Sequence, residues 1–182
     1  MKIEREIKFP MGRLRYNGII DLNGLFKVTR DWLVSNKWRF YEKSLKHKIY
    51  PEGYKKEITW IAYKDPTEYI RFHTTLEFLI REINDVEVVR AGVKKKLQQC
   101  MFQVEISGRV ELDKERRFKD VLGSKVLQRL QDFYHNYIIK EDILFVWVDQ
   151  LTYMLLRVHR VMKEYMEMES KTNAAEFRWL SG

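Results

Sequence analysis

Residues 70–81 read IRFHTTLEFLIR and residues 99–112 read QCMFQVEISGRVEL. In the first stretch Ile70, Phe72, Thr74, Leu76, Phe78 and Ile80 alternate with Arg71, His73, Thr75, Glu77 and Arg81. In the second, Cys100, Phe102, Val104, Ile106, Val110 and Leu112 alternate with Gln99, Gln103, Glu105, Ser107, Arg109 and Glu111. Successive side chains of a strand point to opposite faces, so this two-residue rhythm predicts strands with one buried and one solvated face. Short connections between such strands require antiparallel pairing. Gly108 falls in the apolar register, which predicts a bend, a bulge or a close approach there.

The rhythm extends towards the N-terminus. Ile58, Trp60 and Ala62 share one face, and Glu57, Thr59 and Ile61 the other. Asp65-Pro66-Thr67 is turn chemistry: proline presets φ and the aspartate bonds its own backbone. A further strand is predicted over about Phe40 to Ile49, ending at Pro51-Glu52-Gly53. Asn84-Asp85 predicts another turn, leading to a short strand from Val86 to Val89. Residues 1–9 alternate weakly through Ile3, Ile7 and Phe9, and Leu14 to Leu22 is a second extended candidate. Asp21 or Asn23 then caps a helix over about Leu25 to Ser35, because its side-chain oxygen accepts from orphan first-turn N–H groups. Leu25, Val28, Trp32 and Leu33 form the buried stripe of that helix.

After Asp113 the period changes to about 3.6. Val126, Leu127, Leu130, Phe133, Tyr134 and Tyr137 mark one helix. A longer one is predicted from about Glu141 to Glu169, with Leu144, Val148, Leu151, Leu155, Val158, Met162 and Tyr165 as its stripe and Trp147, Met154, Val161 and Met168 widening it. At 1.5 Å per residue it is ~40 Å long, enough to cross a sheet. A stripe that wide suits packing on strands; its heptad spacing leaves a homodimer through this helix as the alternative. The fold class expected is therefore α+β: an antiparallel sheet of five to seven strands, covered on one face by helices, with a long C-terminal helix. Residues 1–170 form one domain. Residues 171–182 form a tail whose Phe177, Trp179 and Leu180 fold back into a groove or meet a partner.

Composition sets the outer limits. Of 182 residues, 45% are hydrophobic and 33% charged, and Gly and Pro number only eight and three. That supports a buried core and few long loops. Cys100 is the only cysteine, so an intramolecular disulfide and a multi-cysteine zinc site are excluded. The longest apolar run, Ile143 to Val148, is far short of the ~20 residues of a spanning helix. Met1 to Glu6 lacks the apolar stretch of a secretory signal. A cytoplasmic protein without integral membrane association is expected. The net charge is +8, and residues 1–60 hold fourteen Lys/Arg against seven Asp/Glu. Nearly all the excess thus lies in the first third.

Chemistry is sparsely signalled. Glycine-rich phosphate loops and G-x-S-x-G elbows are absent, and His47, His73, His135 and His159 are scattered without metal-ligand spacing. Cys100 shares the register of Phe102 and Val104, which marks it as core. His73 falls on a solvated sheet face, and Glu105 and Glu111 flank Arg109 in the manner of cross-strand ion pairs. No catalytic residue, metal ligand or cofactor is predicted, and the chain reads as a non-catalytic binding protein.

Two binding readings follow. Lys43, Lys46, Lys48, Lys55 and Lys56, interleaved with Tyr41, Tyr50 and Tyr54, make a basic and aromatic surface for nucleic acid or a ribonucleoprotein, and Lys94-Lys95-Lys96 adds a second basic point. The plainer use of such lysines is to guard an exposed strand edge. The second reading is a pocket for a small apolar ligand, held between the sheet and the C-terminal helix. Trp60, Phe72, Thr74, Leu76, Cys100 and Phe102 line it, with Trp147, Leu151 and Met154 opposite and Thr74 orienting the ligand. A filled core is the plainer use of those residues.

The order of elements resembles, in topology alone, the helix-grip fold of START-like lipid and polyketide binders. Four stretches, Leu25 to Trp38, Lys56 to Tyr63, Asp85 to Val89 and Phe102 to Asp113, are also similar to a group of small uncharacterised archaeal proteins. That resemblance implies an archaeal cytosolic protein and no residue-level function.

Overall fold

A computed structural model describes residues 6–51, 53–90, 93–112 and 146–180. The elements are β1 (Glu6–Ile20), α1 (Leu22–Ser35), β2 (Arg39–Tyr50), β3 (Gly53–Lys64), β4 (Ile70–Arg90), β5 (Val93–Leu112) and α2 (Val148–Leu180). The five strands form one open antiparallel sheet in the order β1-β5-β4-β3-β2. The α+β class and the C-terminal helix are as the sequence predicts. The helix read from Val126 to Tyr137 lies outside the described residues.

Strands β2 to β5 form a meander, and β1 extends it by pairing with β5. The first two strands therefore occupy opposite edges, and α1 crosses the sheet to link them. Asp21 caps that helix: its Oδ1 accepts from Gly24 N at 2.9 Å. The helix ends at Leu33 to Trp38, where Trp38 N donates to Leu33 O at 2.9 Å while Lys37 takes a left-handed φ of 61°. That is a Schellman ending, and a non-glycine residue at its left-handed position is strained.

Both helices lie on the same side. The buried strand residues (Ile58, Trp60, Ala62, Phe72, Leu76, Phe78, Ile80, Cys100, Phe102, Val104, Ile106 and Val110) meet Leu25 and Leu33 of α1 and Leu151, Leu155, Val158, Met162 and Met166 of α2. Phe26 of α1 sits 5.2 Å edge-on to Phe78, and Trp147 packs 6.1 Å from Phe72. The heptad stripe of α2 is thus buried on the sheet and on α1. Gly24 lets the two helices meet: a Cβ there collides with the Tyr165 hydroxyl.

Three boundaries differ from the sequence reading. From Glu6 on (residues 1–5 lie outside the described residues), the two N-terminal extended segments are one strand, with a register shift between Pro10 and Gly12 that absorbs the change of phase. The irregularity expected at Gly108 falls there, on the partner strand. Asn84-Asp85 is no turn: β4 continues to Arg90 and pairs back from Val93. A bulge between Arg81 and Asn84 changes the phase instead, with Glu82 at φ 52°. Gly53, at φ 126°, allows the close approach: a Cβ there meets the Glu82 and Ile83 backbone at 3.1 Å. Finally, α2 runs through the segment read as a tail, to Leu180, in keeping with the helix-forming Lys171, Ala174, Ala175 and Glu176.

Candidate nucleic-acid interface

Among the described residues both helices lie on one side, and the other face of the sheet, covered by neither of them, is polar. Its rows follow from strand register. Arg39, Tyr63, His73 and Arg109 lie across one row, with Arg71 beside them; Glu77 faces Glu105 in the middle; Lys46, Glu57, Leu79, Gln103 and Arg15 form a further row. Beyond it come Lys48 opposite Lys55, and Arg81 opposite Met101. Basic side chains thus gather at the two ends; between them lie Glu77 and Glu105, the latter paired with Arg13 at 2.5 Å.

The first end is internally paired. Arg71 makes a two-point contact with Asp65, at 2.7 and 3.1 Å, and its guanidinium stands 5.0 Å above the Tyr63 ring. The Arg39 guanidinium lies 5.9 Å from the same ring. His73 Nε2 meets Glu111 Oε2 at 2.6 Å. Burial, with Arg109 and Arg71 close by, outweighs the pull of Glu111 and lowers the His73 pKa below the ordinary imidazole value. The imidazole is therefore neutral near pH 7, and its N–H donates to the carboxylate. The sequence reading of His73 as simply solvated understates this: its side chain is 18% exposed.

The second end carries uncompensated charge. Lys55 Nζ contacts Glu57 Oε1 at 2.6 Å. That hydrogen bond and the charges of Lys55, Lys46 and Lys48 hold the Glu57 carboxyl below its usual range. One carboxylate thus faces three lysines. Arg81 is exposed and makes no ion pair among the described residues. Arg15 donates Nε–H to Gln103 Oε1 at 3.1 Å, while Gln103 Nε2 donates to Glu105 Oε1 at 3.0 Å. A depression of about 500 Å³ opens here, lined by Arg15, Asn17, Leu79, Arg81, Met101 and Gln103. Two smaller hollows, of about 330 and 320 Å³, include Glu77 and Glu105 in their walls. The Arg15–Arg81 end thus carries more uncompensated positive charge than the centre, where Arg13 is paired with Glu105.

The five lysines and Tyr54 singled out from the sequence fall on different sides. Lys46, Lys48 and Lys55 share the open face. Lys56 and Tyr54 lie on the helix side, where Lys56 Nζ stands 5.6 Å from the Tyr54 ring and His47 packs edge-on to it at 5.3 Å. Burial and Asp85 raise the Tyr54 hydroxyl pKa. Lys43 sits at the register shift between Glu42 and Ser44. Adjacent residues of a strand point oppositely, so Lys55 and Lys56 cannot serve one surface. Arg15 and Arg81 were missed. They are distant in sequence, and their only signal is membership of the polar register of their own strands.

The residues of the alternative pocket are brought together, but against one another. Trp60 is 5.1 Å from Phe78, which lies 6.1 Å from Phe102. The Thr74 hydroxyl donates to Ser107 O at 3.0 Å. Cys100, Leu151, Phe72 and Phe102 are buried, and Trp147 and Met154 pack on them from the side. Burial pushes the Cys100 thiol up to about 11, which leaves it inert at neutral pH.

Among the described residues no cluster of three or more His, Cys, Asp or Glu is arranged to hold a metal, and no helix is long and apolar enough to cross a membrane. No protein-family model matches the chain, and no curated protein matches it either.

Proposed function

We propose that the protein is a non-catalytic nucleic-acid-binding protein that works through the basic end of its open sheet face. One observation carries this reading: Lys46, Lys48 and Lys55 share that face with Arg15 and Arg81, and the two arginines line one depression. Guarding an edge explains lysines on β2, the outermost strand. It does not explain Arg81, which lies on β4 in the sheet interior. Cations from four strands on one face suit a phosphate backbone, whose binding is driven by counterion release. A ribonucleoprotein presents the same backbone.

The test is oligonucleotide binding against salt. Five phosphate contacts on a single strand give a slope of log K against log salt of about −3.5. Lys46→Glu with Lys48→Glu is expected to abolish binding at moderate salt, whereas Lys56→Glu, on the other side, leaves it nearly intact. Equal loss from both variants sinks the open-face assignment, and no binding at low salt sinks the nucleic-acid reading.

A carrier or enzyme of helix-grip type, holding an apolar ligand between the sheet and α2, is the competing reading. Against it stand the ring contacts within that layer and the engaged Thr74 hydroxyl. Lipid found by native mass spectrometry of the purified protein would reverse the preference.

A further inference from the structure

We infer that the depression floored by Leu79 and Met101 is a base-binding subsite, so that the preferred ligand is an unpaired strand and not a duplex; this rests on the nucleic-acid reading above. Charge alone does not distinguish the two forms. The floor does. Met101 is 42% exposed at the basic end of the open face, on the strand between β1 and β4. A flexible thioether makes favourable contact with aromatic rings, and every base offers a π-face. Leu79 extends this apolar patch, and the depression's volume of about 500 Å³ lies in the usual range for small-molecule sites.

The walls carry complementary chemistry. Arg81 is exposed and free of ion pairs among the described residues, so its guanidinium is available to a phosphate or to the plane of a base. Arg15 is held at the opposite wall by Gln103. With one strand between them, their backbones stand about 10 Å apart across the sheet. Gln103, which donates to Glu105, closes the side towards the centre. A base reaches this floor only when it is unstacked and unpaired. A duplex presents its phosphates to the two arginines and leaves the floor empty.

The experiment uses the full chain and a labelled ten-nucleotide DNA strand, compared with its blunt duplex by fluorescence anisotropy. The single strand is expected to bind about tenfold tighter, one stacked base's worth. Met101→Ser removes that preference without changing duplex affinity or the thermal melt, and Met101→Phe restores it. Equal binding of both forms, unchanged by Met101→Ser, overturns the subsite while leaving the charged face intact as a binding surface. Failure of both forms to bind at low salt, with poly-glutamate bound instead, overturns the subsite together with the nucleic-acid reading and points to an acidic protein partner.

Discussion

The two faces of one sheet follow opposite rules. On the helix side the side chains from β1, β3, β4 and β5 meet α1 and α2 in a continuous apolar layer, with Phe72, Leu76, Ile80, Val104, Leu151 and Val158 wholly or almost wholly buried. On the open side the same strands carry arginines, lysines, carboxylates and amides, and a shallow depression remains. Phe78 and Glu77 are neighbours in the chain, yet one is packed among rings and the other faces a like charge. What distinguishes them is cover. Burial on one side leaves the side chains of the other exposed, so alternate residues of the same strands serve the core and the proposed binding surface.

That division is open to attack by substitution, and the largest effect is expected in the covered layer. Phe78→Ala removes a ring that contacts Phe26, Trp60 and Phe102; unfolding by denaturant should show a loss of about 3–5 kcal/mol. A loss under ~1 kcal/mol would mean that the layer is loosely packed and that a cavity is available after all.

The contact between the helices should be less costly to disturb. Gly24→Ala drives a methyl into the Tyr165 hydroxyl, and a loss of about 1–3 kcal/mol is expected. Tyr165→Phe in the same chain should recover part of it, measured as a double-mutant cycle. No recovery would place the strain elsewhere, against the Asp21 carboxylate.

Acid should act through His73. Its folded pKa lies below the ordinary value of 6.5, so below that pH the unfolded chain binds more protons than the folded one. Stability is therefore full above about 6.5 and falls as pH drops towards the lowered folded value. His159, whose pKa burial and Lys163 also lower, contributes in the same sense. Thermal melts from pH 7.5 to 5 should show this loss, with a shallower slope in His73→Gln. An unchanged slope would assign the acid sensitivity to other groups.

The smallest effect belongs to the open face. Glu77 stands opposite Glu105, and like charges directly across a ladder are unfavourable. Glu77→Lys is expected to stabilise the fold by about 0.5 kcal/mol. A substantial loss would show that this face has a structural duty that its exposure does not suggest.

Much of the architecture can be read along the chain because strand and helix periods are local properties. The alternation from Ile70 to Arg81 and from Gln99 to Leu112, and the stripe from Leu151 to Met162, correspond to β4, β5 and α2. The Asp21 cap was equally legible, since a capping carboxylate acts within three residues. The boundaries that failed were those that a distant residue controls. Asn84-Asp85 has turn composition, but Gly53 on the neighbouring strand leaves room for a bulge, and β4 carries on.

Tertiary structure alone decided the site. Period two assigns Lys55 and Lys56 to opposite faces without saying which face the helices will cover, and it cannot bring Arg15 to the wall facing Arg81. Those relations depend on the order β1-β5-β4-β3-β2, which sets residues more than sixty positions apart side by side. Local periodicity comes from backbone geometry, whereas the joining of distant charges comes from burying one common apolar face.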